Sequence, residues 1–403
     1  MTERVVLTGY HDVIAAYRNR DLRQALFDEG VVMQDVLINL HGDDHRARRR
    51  LENRLFRRET FTYYERELFP QIVAETLAPH VAAGQAELVS LGHQIMMNLG
   101  ALSAGIDRPA GTAEESFRLY EFMMIFIEGA TIANYLGDKA ALEAEVRAAL
   151  AEFDLEFVVP SAARRRALLA RVDRGELDEG AVPRDVLTVL LRNVDELALA
   201  DDVILREIAF YLLSGAHTTA TSFTRTVHRL LDYSDDHPEA RQRVIDDRRF
   251  VQRAVHEVLR LEPPSPLRRR RATRNLVLAD GTEVVVDQIV DLDLVAANRD
   301  PTVFGVNADT FEPERPLPHD VPPWGTSFGT GMHACIGQDL AAGCVVDDDS
   351  TDAGELLGLV PLAVQSVFRA GVSRLPDDPP VVDELTSRGY FKRYPVKLEA
   401  RST

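Results

Sequence analysis

One stretch of this chain combines a metal-binding donor, an imidazole and three glycines at fixed spacing. It reads Ser327-Phe-Gly-Thr-Gly-Met-His-Ala-Cys-Ile-Gly337. Glycine admits positive φ and lets a backbone approach a ligand closely, so Gly329, Gly331 and Gly337 predict a tight, exposed loop. Cys335 stands just before a helix-forming run, Gln338 to Val346. Backbone N–H groups and the helix dipole at such a place favour thiolate, the nucleophilic and metal-binding form of cysteine. The plainer reading is a glycine-rich turn around an inert thiol.

Three further groups carry chemistry. Ser214-Gly215-Ala216-His217-Thr218-Thr219 lies inside a long apolar-faced run from Asp201 to about Leu231. A glycine within a helix costs about 1 kcal/mol against alanine. Gly215 therefore predicts a distortion or the close approach of a flat ligand, with an imidazole and a hydroxyl beside it. His45 and Arg49 are four residues apart, so on a helix both reach one anionic group. Glu257 and Arg260, three apart, share a helix face. Alone, that spacing is the commonplace surface ion pair.

The elements that must position these groups are mostly helical. Residues 4–8 read as a short strand, and Tyr10 to Arg20 as a helix with Val13, Ile14 and Tyr17 at helical spacing. Residues 30–41 read as a loop. From His45 to Thr60 the periodicity predicts one helix buried along Ala47, Leu51 and Leu55, with seven arginines around that stripe. Phe117 to Ile132 is apolar nearly all round, which predicts a core helix. Leu142 to Phe157 and Leu356 to Ala370 add further helices. Pro263, Pro264 and Pro266 end the helix that bears Glu257. Asp280-Gly281 marks a hairpin within 276–290. Tyr390 to Leu398 is strand-like. Asp347 to Asp352 interrupts the helix expected after Cys335.

Length, composition and charge bound the function. The chain has 403 residues, 45% apolar and 27% charged, as in an ordinary globular protein. Its net charge of −18 disfavours nucleic acid as a partner. Two cysteines, Cys335 and Cys344, give no disulfide framework, in keeping with a cytoplasmic protein. No run of about 18 apolar residues occurs, so no membrane span is expected.

Phe328-Gly329-x-Gly331-x-His333-x-Cys335-x-Gly337 resembles, at every fixed position, the haem-binding loop of the cytochrome P450 family. The other groups resemble further motifs of that family in the same order along the chain. The resemblance implies a mainly α fold with small β-sheets, α+β, haem b lying between the long central helix and the cysteine loop. It implies one domain over residues 1–403, reduced ahead of the His45 helix. By resemblance, Cys335 is the axial iron ligand. Phe328, Gly329, Gly331, Gly337 and Gly215 border the porphyrin, and His45, Arg49, Arg270 and His333 serve its propionates. Thr218 would hydrogen-bond activated dioxygen. Glu257, Arg260 and Arg315 would form a structural cluster. In place of the family's usual acid stands His217, a position where sterol 14α-demethylases also carry histidine. It either relays protons, since an ordinary imidazole titrates near pH ~6.5, or fills space.

The function so implied is a haem-thiolate monooxygenase. It would insert one atom of O₂ into a small apolar organic substrate, by default hydroxylating a C–H bond. Electrons would come from a ferredoxin or flavodoxin docking on the arginine-rich segment 45–60. The alternatives are a peroxide-using peroxygenase or a rearrangement enzyme, and a non-catalytic haem sensor or carrier.

Overall fold

The computed structural model describes residues 4–345, 355–384, 386 and 388–399. The interruption expected at Asp347–Asp352 lies outside them. The chain clusters into two compact units. One comprises Met1–Arg23, Arg58–Ile95 and Thr218–Thr403; the other Gln24–Arg57 and Met96–His217. No helix of the described residues is long and apolar enough to cross a membrane.

The first unit holds the sheets. Val5–Leu7, Ile289–Asp293, Leu267–Ala272 and Leu22–Gln24 form a four-stranded sheet in that order. Val5–Leu7 runs parallel to Ile289–Asp293, and Leu267–Ala272 antiparallel to it. Leu7, Val290 and Leu292 turn into a core shared with Val13, Ala16 and Tyr17 of the helix Tyr10–Arg18. Cross-strand partners Arg269 and Asp291 also pair as ions, at 2.8 Å. The hairpin at Asp280-Gly281 forms as expected, with Gly281 at φ +88 between Leu276–Val277 and Glu283–Val284.

The second unit is helical. The helix Ala113–Ala130 starts with a reciprocal cap: Glu115 N donates to Thr112 Oγ1 at 3.2 Å, and Gly111 N donates to the Glu115 carboxylate at 2.8 Å. Its Phe122 and Phe126 pack edge-on against Phe153 of the helix Lys139–Phe153, with ring centroids 5.7 and 5.2 Å apart. The all-round apolar run is not all core. Phe117 is 60% exposed, because one helix cannot bury every face against one layer of neighbours.

The segment from His45 to Thr60 differs from expectation. A helix spans Gly42–Glu52, residues 53–57 turn, and a second helix begins at Arg58. The buried positions are His45, Arg48, Leu51 and Glu52, whereas Ala47 is exposed. Paired charges, rather than apolar side chains, decide which face turns inward. The four arginines at 268–271 do not share one environment. Arg270 is buried, Arg269 is paired with Asp291, and Arg271 donates to the Asp287 carbonyl.

Candidate functional site

The loop that carries Cys335 is anchored at its start by one buried side chain. The amide of Asn298 uses its full capacity of two donors and two acceptor positions. Its Oδ1 accepts from Thr326 N and Thr326 Oγ1, both at 2.7 Å. Its Nδ2 donates to the Arg260 carbonyl at 2.9 Å and to Ser327 Oγ at 3.2 Å. Ser327 Oγ donates onward to the Leu259 carbonyl at 2.6 Å. Gly325, at φ +58, has no alternative residue type, since a Cβ there would sit 2.4 Å from Asn298 Oδ1.

Asn298 in turn joins the loop to the expected ion cluster. Arg260 is completely buried. It grips the Glu257 carboxylate with two bonds of 2.7 Å and donates its remaining Nη1 to the carbonyls of Asn298, at 2.6 Å, and Ala308, at 2.7 Å. Arg315 Nε reaches Glu257 at 3.1 Å, and the same guanidinium donates to the Phe304, Asn307 and Thr310 carbonyls. One carboxylate therefore faces two guanidinium groups, and backbone carbonyls take up the surplus positive charge. The three residues form one hydrogen-bonded cluster, a grouping that the resemblance implied and their spacing alone did not.

Beyond Ser327 the chain rises out of the core. Cys335 is exposed, and its backbone N–H donates to the Phe328 carbonyl at 2.9 Å, closing the loop on itself. The helix after it is short, Gln338–Ala342, with Gly337 at its N-cap. The glycines divide by role. Gly329 and Gly331 lie at φ +66 and +74 against Tyr17; a Cβ on Gly331 would meet the Tyr17 carbonyl at 2.8 Å. Gly337 has negative φ and nothing within 4 Å of where a Cβ would stand. The first two shape the loop, and the third leaves open space beside the cysteine.

Tyr17 is a member that the sequence did not reveal. It is buried, donates to the Thr326 carbonyl at 3.4 Å, and lies under the Arg270 guanidinium, 5.2 Å from ring centre. Burial lowers the Arg270 pKa to about 10, which leaves it charged at neutral pH. Behind the loop, His256 Nε2 lies 2.8 Å from the Ala342 carbonyl and its ring meets Trp324 edge-on at 5.0 Å. Burial pulls the His256 pKa down to about 4, so it is a neutral donor there.

On the second unit, His45 and Arg49 share one face of the helix Gly42–Glu52, as expected. Burial, with Arg49 and His41 nearby, lowers the His45 pKa to about 4. His45 is thus a neutral hydrogen-bonding group, and Arg49 carries the charge. The helix Asp201–Asp236 runs unbroken through Gly215, so the expected distortion is absent. Gly215 and Thr218 are nevertheless exposed, and Ser214 and His217 half-exposed, within an otherwise buried stretch. A Cβ on Gly215 would find only Gly100 Cα, at 4.0 Å.

The residues present fit a haem by the chemistry of their donors. An exposed cysteine on a rigid loop is a soft single ligand of the kind that haem iron accepts. Arg270 and Arg49 are cations for carboxylates, and Gly337 and Gly215 border open space.

Comparison with known proteins agrees. The family description "Cytochrome P450" matches residues 169–343, which include the long helix, the Glu257 cluster and the cysteine loop. Pulcherriminic acid synthase of Bacillus subtilis is 26% identical, over 83% of this chain and 78% of its own length. Mycinamicin VIII C21 methyl hydroxylase of Micromonospora griseorubida is 32% identical over 43% of this chain, a match that spans only 41% of that enzyme. Among solved structures, HmtT, involved in himastatin biosynthesis, superposes with a TM-score of 0.75 at 23% identity, covering 98% of this chain and 92% of that one. Together the family match, the curated relatives and the structural neighbours support a divergent cytochrome P450, an oxidoreductase of the monooxygenase type.

Proposed function

We propose that the protein inserts one oxygen atom from O₂ into a small apolar organic substrate, hydroxylating a C–H bond, with electrons delivered by a ferredoxin or flavodoxin. The observation that carries this reading is Cys335: an exposed thiol on a loop whose base is fully hydrogen-bonded and buried. Bound haem b would supply a thiolate-ligated iron able to cleave the O–O bond. Cys335 would hold that iron, on a loop whose base is fixed by the Asn298 and Tyr17 contacts. Arg49 and Arg270 balance the propionate charges, while His45 and His333 donate hydrogen bonds to them. Phe328 and the loop glycines would border the ring. Thr218 places a hydroxyl that hydrogen-bonds dioxygen and passes it protons. Glu257, Arg260 and Arg315 hold the loop's support and take no part in the chemistry.

The apolar character of the substrate rests on the helix Ala113–Ala130, where Met124 and Ile125 stay partly exposed after the phenylalanines are packed away. Exposed Arg46, Arg50, Arg54, Arg57 and Arg58 offer an acidic redox protein a basic surface, although Arg46 and Arg50 already engage Asp43 and Glu196. Arg48 is withdrawn from it by burial. A second reading, turnover with peroxide alone, is favoured by His217, which stands beside Thr218 without the acid usual in the family.

The test is turnover under ¹⁸O₂ with NADH, reductase and ferredoxin, set against peroxide alone. Candidate substrates are first chosen by the Soret shift they cause on binding. One ¹⁸O atom in the product of the reductive reaction is expected. Product from peroxide only would establish the second reading, and no oxygenated product from either would leave a haem-binding protein without turnover.

A further inference from the structure

Four buried polar side chains of the second unit have no part in the reading above. Arg48 and Glu52 come from the helix Gly42–Glu52, and Glu207 and Tyr211 from the long helix Asp201–Asp236. All four are less than a tenth exposed. Arg48 Nη1 donates to Glu207 Oε2 at 2.7 Å and to the Asp35 carbonyl at 2.8 Å. Both Glu207 oxygens also accept from Leu37 N, at 3.1 and 3.0 Å. The charge of Arg48 is thus taken up by Glu207.

Glu52 is left with less. It is completely buried and accepts one hydrogen bond, from the Tyr211 hydroxyl. Its Oε1 has no partner among the described residues. Phe56 stacks on the Tyr211 ring at 5.8 Å. The charged groups around Glu52 are Glu207, which opposes ionisation, and Arg48 and Arg49, which favour it; burial outweighs both and drives its pKa well above the usual carboxylate range. Glu207 is raised as well, to about 7, again mainly by burial. Two carboxyls beside one buried guanidinium keep one proton between them.

The location gives that proton a use. Glu207, Tyr211, Ser214, Gly215 and Thr218 fall at i, i+4, i+7, i+8 and i+11, one face of a single helix. Tyr211 is two turns from Thr218, about 10 Å along the axis, with the Ser214 hydroxyl one turn short of Thr218. This chain has no acid next to Thr218, and its buried acid stands at the other end of the same stripe.

We propose that Glu52 is a carboxylic acid at neutral pH and, through the Tyr211 hydroxyl, supplies protons to the helix face that carries Thr218 during O₂ reduction. The inference rests on the monooxygenase reading. Each turnover consumes one O₂, two electrons from the redox protein and two protons. One oxygen atom enters the substrate C–H bond and the other leaves as water. For each proton delivered, the Ser214 O–H bond breaks towards Thr218, the Tyr211 O–H bond, turned away from Glu52, breaks to re-form the Ser214 hydroxyl, and the Glu52 O–H bond breaks to re-form the Tyr211 hydroxyl. Solvent then returns a proton to the Glu52 carboxylate. No group in the relay changes oxidation state.

The first test reads the proton itself. Infrared spectra of the haem-loaded protein at pH 7 should show a protonated-carboxyl C=O band. It should lose the Glu52 component in Glu52→Gln, which keeps the shape and neutrality of the acid, and that component should shift in Tyr211→Phe, which removes its one hydrogen bond; a band unchanged by Glu52→Gln overturns the proposal. Absence of the band from the unaltered protein overturns the proposal. The second test reads delivery. Glu52→Gln should lower product formed per NADH consumed by about tenfold, with a larger solvent isotope effect. The ratio of peroxide-driven to O₂-driven product should rise by the same factor, because peroxide brings its own protons. A band that behaves as expected together with unchanged coupling overturns the delivery role. Lack of product from the unaltered protein overturns the monooxygenase reading and the delivery role with it, while the band still reports the state of Glu52.

Discussion

Two buried ion clusters, one in each unit, are built on opposite terms. At Glu257, Arg260 and Arg315 the surplus charge is positive, and five backbone carbonyls accept its hydrogen bonds. At Arg48, Glu207, Glu52 and Tyr211 the surplus is a carboxyl, and one of its oxygens meets no donor among the described residues. Carbonyls are plentiful at the ends of irregular segments, so a buried cation is easily satisfied there. A buried carboxylate needs N–H groups, which helices keep for themselves. The first cluster is therefore satisfied by its own hydrogen bonds, whereas the second solves its problem by holding a proton. One suits the support of a ligand loop, the other suits chemistry.

The comparison breaks most sharply under mutation. Arg260→Ala leaves Glu257 buried beside a cavity and strips Asn298 of a partner, so a loss of about 3–5 kcal/mol is expected, enough to prevent recovery of folded protein with haem. Glu52→Gln should do the reverse. It replaces a neutral acid with a neutral amide and should change denaturation midpoints little at pH 6. Equal losses from the two substitutions would show that both clusters are structural.

The same contrast predicts the pH dependence of folding. Glu52 and Glu207 have folded pKa values above their unfolded ones, so the stability that they contribute is present at low pH and lost as pH rises. For Glu207 the loss falls between about 4.5 and 7. His45 and His256 are lowered to about 4, so their contribution is lost as pH falls from about 6.5 towards 4. Thermal midpoints should therefore fall on both sides of a maximum in mildly acidic solution. Glu207→Gln should flatten the alkaline side alone; an unaltered alkaline slope would contradict the assignment.

A smaller effect is expected at the loop. Gly331→Ala places a Cβ at positive φ and 2.8 Å from the Tyr17 carbonyl. About 2 kcal/mol of stability should be lost. Gly337→Ala, where there is open space and ordinary φ, should cost folding little and impair haem uptake instead.

What could be read from the sequence follows the same division. The glycine-punctuated cysteine loop, the Glu257–Arg260 pair, the shared face of His45 and Arg49 and the long helix were legible, because local spacing expresses them; Arg315, 58 residues from Glu257, joined that pair only through the family resemblance. Asn298 was not: its partners lie 28 to 38 residues away, and its run, Ala297 to Pro301, reads only as irregular chain. Tyr17 was legible as a buried helix position, but its packing on Gly329 and Gly331 spans more than 300 residues of sequence. The face of the helix Gly42–Glu52 was misread for a physical reason. Periodicity takes buried positions to be apolar, and here burial selects Arg48 and Glu52, which find partners on another helix.

The account depends above all on Cys335 as the ligand of iron. Reduced, CO-bound protein should show the strongly red-shifted Soret band of thiolate-ligated haem, and Cys335→His should replace it with the band of an imidazole-ligated haem. A histidine-type spectrum from the unaltered protein, or a thiolate spectrum that survives the loss of Cys335, would contradict it.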